Sequence, residues 1–259
     1  MDMHGKRGLV MGVANERSLA WGIAKALSEA GADLAFTYQG EAFGKRVAPL
    51  AEQVGSTTLL DVDVTDDASL DAAFSELEKG GKLDFVIHAI AFSDKSELTG
   101  RIVDTSRTNF KQTLDISCYS LIEVARRARP LMTDGGTIIT LTFDGSQRVM
   151  PFYNVMGVAK AALESAVRYL ASDLGPEGIR VNAISPGPMK TLAGAAIGGA
   201  RKTFRHAEAN APLRSNATLD AVGGTALYLC SNAGASTTGE IIHVDGGYHV
   251  MGMPHPDNL

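Results

Sequence analysis

Short apolar, β-rich runs alternate with amphipathic stretches along almost the whole chain, and no other feature restricts its possible folds so tightly. The strand candidates are residues 7–12, 33–38, 57–62, 84–91, 137–142, 180–184 and 240–244. Apolar spacing between and after them predicts helices over 18–30, 41–54, 68–78, 108–132, 153–174 and 219–229. Alternation of this kind implies parallel strands joined by right-handed helical crossovers. The run DFVIHAIA at 84–91 is apolar without interruption, as a strand covered on both faces must be. The expectation is α/β: one Rossmann-type, doubly wound parallel sheet of about seven strands, spanning residues 1–259 as a single domain with helices on both faces. Residues 186–210 read as a loop-helix region, and 185–210, rich in Gly and Ala, is the one long irregular stretch; such a stretch commonly forms a lid.

Composition narrows the functional classes. Glycine occurs 28 times and aromatics make up only 6%, which suits close packing of helices on a sheet. The formal charge of -5 argues against a nucleic-acid partner. Two cysteines, Cys118 and Cys230, are too few for a disulfide framework or a four-ligand zinc site, and no metal site is expected. They read as small buried hydrophobes in a reducing compartment. No apolar run precedes the first strand and none is long enough to span a bilayer, so a cytoplasmic protein without a membrane association is expected.

The first strand ends in Gly12, and Ser18 opens the helix that follows. This geometry presents backbone N–H groups and a helix dipole to a dinucleotide pyrophosphate. The turn lacks G-x-G-x-x-G, so an ordinary capped βα turn is the competing reading. Gln39 follows the second strand, where an acidic residue would take a ribose and a basic one a 2′-phosphate. Gln39 can bond a ribose or an adenine edge, or simply face solvent. Asp63, before Val64, can accept the adenine amino group or cap the next helix. Tyr153 and Lys160 lie seven residues apart on one helix, two turns, and so point the same way. A neighbouring ammonium favours phenolate and makes the phenol a better proton donor. Taken without context, the pair is equally a helix-start aromatic and a surface lysine.

Context comes from the rest of the chain. With RVNAISPG at 180–187 and DGG at 245–247, the sequence resembles the short-chain dehydrogenase/reductase superfamily over essentially its whole length. Most of that superfamily carries Tyr-x3-Lys, and no Tyr here has a Lys four residues on. The run YNVMGVAK at 153–160 is Tyr-x6-Lys instead. That spacing, the Gly-x5-Ser first turn, FTYQ at 36–39 and GPMKTLA at 187–193 together resemble the NADH-dependent enoyl-acyl-carrier-protein reductases of bacterial fatty-acid synthesis.

The resemblance implies hydride transfer from NADH to the β-carbon of a trans-2-enoyl thioester, followed by protonation of the α-carbon. It implies that Tyr153 donates to the thioester carbonyl and that Lys160 holds the nicotinamide ribose. Gly12, Ser18, Leu19, Gln39, Asp63, Val64, Ile90, Lys160, Met189, Lys190, Thr191, Leu192 and Ala193 match the family's cofactor contacts. Ser93 and Phe143 match substrate-side positions, and a substrate lid is implied at about 189–210. The implied partner is enoyl-acyl-carrier protein, and the implied assembly is a homotetramer. Arg201, Lys202 and Arg205 form a basic cluster on an otherwise negative chain, which reads either as a dock for the acidic carrier or as a solvated helix face.

Three departures stand out. Phe143 occupies the place of a second active-site Tyr, as in related enzymes of mycobacterial type. Ala91 replaces a typical Gly beside the nicotinamide pocket, and Ala200 and Thr203 replace larger apolar lid residues. Two other functions compete with reduction of an enoyl thioester. A carbonyl-reducing short-chain dehydrogenase would need Tyr-x3-Lys. A non-catalytic dinucleotide-binding scaffold would have no physical need for Tyr153 and Lys160.

Overall fold

A computed structural model describes residues 1–191 and 199–258. In chain order the principal elements are β1 (Arg7–Met11), α1 (Leu19–Glu29), β2 (Asp33–Tyr38), α2 (Gly40–Gln53), β3 (Thr58–Asp61), α3 (Asp67–Lys79), β4 (Phe85–His88), α4 (Lys95–Leu98), α5 (Arg107–Leu114), α6 (Ser120–Ala128), β5 (Gly136–Leu141), α7 (Asn154–Leu174), β6 (Ile179–Pro186), α8 (Ala200–Asn210), α9 (Leu219–Cys230) and β7 (Ile241–Val244).

The seven strands form one sheet in the order β3-β2-β1-β4-β5-β6-β7, and every neighbouring pair is parallel. Alternate residues of each strand face opposite layers. Leu9, Val86, Ile138, Val181 and Ala183 pack under α3, α6 and α7 with Leu77, Val124, Leu163 and Val167. Val10, Ile87, Ile139 and Ile184 pack under α1, α2 and α9 with Ile23, Leu27, Leu50, Val222 and Ala226. Both faces are covered, which is why strands such as Phe85–His88 are apolar without alternation.

The small residues do what composition suggested. A Cβ at Gly223 on α9 would sit 2.7 Å from the Gly22 carbonyl oxygen of α1 and 2.9 Å from Ala26 Cβ. Those two helices meet at near backbone contact and hold one side of the sheet.

Three expectations need revision. The fourth strand ends at His88, three residues early, so Ile90, Ala91 and Ser93 lie on the loop beyond it. The long helix over 108–132 is not uniform, because residues 115–119 widen into a π turn between α5 and α6. Part of the stretch 185–210 is regular: Ser185 and Pro186 close β6, and residues 200–210 form α8. Among the described residues, no helix is long and apolar enough to cross a membrane. Cys118 and Cys230 are free thiols, and burial pushes both above their ordinary range.

Candidate active site

The strand order reverses direction between β1 and β4, so the loops leaving their C-terminal ends diverge and open a crevice. Gly12 forms its floor. Its φ is +94°, and a Cβ there would lie 2.1 Å from the Ala89 carbonyl oxygen. Glycine is therefore demanded both by the backbone conformation and by the close approach of the two loops. Ser18 occupies the cap position of α1, but its hydroxyl makes no cap bond. The oxygen turns back and accepts from the N–H groups of Ala14 and Asn15, each at 3.0 Å. The serine thus shapes the turn, while the first turn of α1, which opens on Leu19, carries no acidic residue. That end of the helix keeps its positive field, as a pyrophosphate site requires.

At one end of the crevice, Gln39 and Asp63 meet. Gln39 Nε2 donates to Asp63 Oδ2 at 3.0 Å. Asp63 Oδ1 also accepts from the Thr65 hydroxyl at 2.7 Å and the Thr65 N–H at 2.9 Å. These bonds hold the Asp63 carboxyl below its ordinary range. The cap of α3 is Asp66, which accepts from the Ala68 N–H, so Asp63 is not spent on capping. Val64 packs against the core beside it.

At the other end lie Tyr153, which begins α7, and Lys160 within it. Both are buried, at 7% and 5% exposure. Phe152 and Asn154 flank the tyrosine with φ of +61° and +37°, a left-handed pair that costs energy for side chains of this kind. Asn154 Nδ2 anchors the bend by donating to the carbonyls of Glu97 and Gly100. Lys160 Nζ donates to the Leu141 carbonyl at the end of β5, at 2.7 Å. Burial lowers the lysine to about 8, against the opposing influence of Cys118 and Glu164. Burial, helped by Glu164, raises the Tyr153 phenol above its ordinary range. The phenol is therefore not eased toward phenolate as expected: burial and the Glu164 charge both favour its protonated form. A phenol that stays protonated remains a hydrogen-bond donor.

Phe143 meets Tyr153 edge to face, with ring centroids 5.1 Å apart. Ser93 sits on the loop after β4, where the Thr113 hydroxyl donates to its oxygen at 2.9 Å and its own hydroxyl reaches Asn109 Oδ1 at 3.3 Å. Ile90 is half-buried against the core. Beneath this end His88 is fully buried between the Thr140 and Ser120 hydroxyls, and burial lowers it to about 3, so it is neutral.

Across the crevice, Met189 packs on the α1 side of the core, and the Thr191 N–H donates to the Met189 carbonyl at 2.9 Å. Lys190 Nζ lies 4.7 Å from the centre of the Phe204 ring on α8. These residues and Arg17, from the Gly12 turn, line one cavity of about 280 Å³. Leu192 and Ala193 lie outside the described residues, as do 194–198 of the expected lid. Arg201, Lys202 and Arg205 are exposed on α8.

Sequence reasoning missed Glu164. It is buried on α7, and its carboxylate accepts from the hydroxyls of Thr142 and Ser146 at 2.7 and 2.5 Å. The available signal was an acid next to Leu163 in an apolar stripe, one turn beyond Lys160. Asp144 was missed as well. It is 6% exposed, and neither carboxylate oxygen has a hydrogen-bond partner among the described residues.

The turn at Gly12, the Gln39–Asp63 pair and the buried Lys160 offer the chemistry a dinucleotide needs: a helix N-terminus for the pyrophosphate, polar acceptors for an adenosine and a cation for a ribose. Comparison with known proteins agrees. The family model described as enoyl-(acyl carrier protein) reductase matches residues 12–249. The chain is 60% identical over 256 residues to enoyl-(acyl-carrier-protein) reductase (NADH) 1 of Rhizobium meliloti (strain 1021), covering 98% of this chain and 94% of that one. The crystal structure of the reductase from Anaplasma phagocytophilum, in complex with NAD, is 56% identical with a TM-score of 0.95, covering 98% and 97%. That of the Bacillus cereus enoyl-acyl carrier protein reductase, with NADP+ and indole naphthyridinone, is 49% identical with a TM-score of 0.96, covering 98% and 100%. The chain belongs to the enoyl-(acyl carrier protein) reductase family.

Proposed function

We propose that the chain reduces trans-2-enoyl thioesters carried on acyl carrier protein, using NADH, in fatty-acid elongation. The observation that carries this reading is the burial of Tyr153 and Lys160 together on α7, at the opposite end of the crevice from Gln39 and Asp63. Bound NADH supplies the hydride, which adds to the β-carbon of the enoyl thioester. As that bond forms, the C=C electrons move toward the thioester oxygen. The Tyr153 hydroxyl donates to that oxygen, a contact that strengthens as charge develops and so lowers the barrier. Water then protonates the α-carbon and completes the saturated thioester. Lys160, braced by the Leu141 carbonyl, donates to the hydroxyls of the nicotinamide ribose. Gly12, Ser18 and Leu19 cradle the pyrophosphate, with Met189, Lys190, Thr191, Leu192 and Ala193 on the far side and Ile90 near the nicotinamide. Gln39, Asp63 and Val64 take the adenosine. Ser93 and Phe143 border the acyl chain, and Phe143 leaves Tyr153 as the one phenol at this position.

In this reading residues 1–259 act as one domain and 189–210 close over the acyl chain. The acidic carrier protein meets Arg201, Lys202 and Arg205. The enzyme is a cytoplasmic homotetramer. The exposed apolar residues Tyr119, Ile122, Val158 and Tyr169, on the π turn, α6 and α7, support pairing of those helices between subunits. The deciding experiment is turnover of a crotonyl thioester with NADH, followed at the loss of NADH absorbance. Saturable, enzyme-dependent oxidation of NADH is expected. Binding of NADH without turnover would leave only the scaffold reading.

A further inference from the structure

Glu164 stands where three parts of the site converge. Its Oε1 accepts from the Thr142 hydroxyl, just past the end of β5, and from the Ser146 hydroxyl in the turn that carries Phe143 and Asp144. It lies four residues beyond Lys160 on α7, so the two side chains are neighbours on one helix face. The sheet register explains why a carboxylate is buried here. Leu141 pairs with Ile184, and Ser185 pairs with His243. Thr142, Ser185 and His243 therefore follow one another across β5, β6 and β7 on the α7 face. Ser185 Oγ, His243 Nε2 and both Asp144 oxygens are buried and make no hydrogen bond among the described residues, although Arg148 Nε stands 3.9 Å from Asp144 Oδ2. Around Glu164 the protein has thus assembled a polar nest inside an otherwise apolar layer.

We propose that Glu164 is a positioning residue of the active site, whose carboxylate both ties the Phe143 turn to α7 and keeps the Lys160 ammonium charged. The inference rests on the reading of Lys160 as the ribose-holding residue. Burial works against the ammonium, and a carboxylate one helical turn away works for it. The other titratable groups around the pair are Tyr153 on α7, Cys118 on the π turn, His88 on β4, Asp144 and Arg148 in the turn after β5, and His243 on β7 with His249 and Asp245 beyond it. Cys118 is the other group that favours the charged lysine, and its thiol is itself raised by burial. A neutral thiol offers little charge, so the task falls to Glu164.

The sign follows directly. The ammonium is the form that donates to the ribose, and it is lost as pH rises through about 8 in the free protein. Then kcat/KM for NADH falls on the alkaline side, since that ratio reports the free enzyme's essential groups. Glu164→Gln keeps an acceptor for Thr142 and Ser146 but removes the charge. Its alkaline limb is expected to move to lower pH by about one unit, a displacement typical of losing one close opposite charge. The double variant Thr142→Val/Ser146→Ala keeps the charge and removes the ties. It is expected to lower kcat while leaving the alkaline limb in place. An unmoved limb in Glu164→Gln, or an equal displacement in the double variant, overturns the proposal. A Lys160→Met arm separates the two levels. If it binds NADH as well as the wild type, the reading of Lys160 fails and this inference falls with it. If it loses NADH while the Glu164→Gln limb stays fixed, only the role of Glu164 is lost. Thermal melts of each variant show whether the fold is retained.

Discussion

The two ends of the crevice solve different problems with similar atoms. At one end, Gln39 is exposed, and the Asp63 carboxyl is stabilised in its charged form by three hydrogen bonds. At the other, Tyr153 and Lys160 are buried and both are displaced from their ordinary ranges, chiefly by desolvation. Water screens the first end, so its contacts select a ligand at small energetic cost. The second end has little water, so a single charge or donor there counts for much more. Recognition can therefore sit on loops, whereas chemistry needs a helix pinned to the sheet.

Substitutions at the buried end are expected to be the most damaging. Tyr153→Phe removes the oxyanion donor with almost no change in volume, and Phe143 offers no hydroxyl in its place. Loss of one such donor typically costs about 10²–10³ in turnover. Steady-state kinetics with a lowered kcat and unchanged NADH affinity is the expected pattern, and near-wild-type kcat would show that the Tyr153 hydroxyl is not the oxyanion donor.

Lys160→Met should instead act on the cofactor. Charge-assisted hydrogen bonds are worth roughly 1.5–3 kcal/mol each, so weakening of NADH binding by about tenfold to a hundredfold is expected. Fluorescence titration of NADH measures it directly. A loss confined to kcat would place the lysine in the chemistry rather than in binding.

The exposed end should respond more gently and in specificity. Lys45, the cation nearest in sequence to Gln39, is already paired with Glu41 at 2.6 Å. A 2′-phosphate would also meet the Asp63 carboxylate, so NADH is expected to be preferred over NADPH. Gln39→Arg should shift the ratio of kcat/KM values toward NADPH by about tenfold, the value of one charge-assisted bond at a partly solvated site. An unchanged ratio would mean that the phosphate is refused elsewhere in the crevice.

The smallest effect belongs to the surface of α8. Charge reversal at Arg201 and Lys202 should weaken carrier-protein substrates several-fold at low salt, without affecting short thioesters that lack the carrier. The difference should fade as the screening length shrinks to about 8 Å at physiological ionic strength. Equal rates for carrier-bound substrate in both proteins at low salt would move the docking surface off α8.

Part of the crevice was legible in the residues. Gly12, Gln39 and Asp63 each follow a strand, and strand ends are marked locally by apolar runs and turn residues. What was not legible is how they pair. Whether Asp63 capped a helix or faced the ligand depended on Asp66 taking the cap and on Gln39 reaching across from another strand. Ser18 shows the same limit: its position at the helix start was correct, but its hydroxyl serves the turn. A helix was expected somewhere in 186–210, but its start at Ala200 was not legible, because the Gly/Ala-rich sequence leading into it carries little periodic signal.

Seven strands, their parallel sense and the two-turn spacing of Tyr153 and Lys160 were written in the chain order, because periodicity and helical pitch are properties of neighbours in sequence. The polar nest around Glu164 was not. Thr142, Ser146, Glu164, Ser185 and His243 are brought together by strand register and by α7 crossing the sheet, across separations of up to about a hundred residues. The charge state of Lys160 likewise follows from how completely that packing excludes water, a quantity that no local stretch of sequence contains.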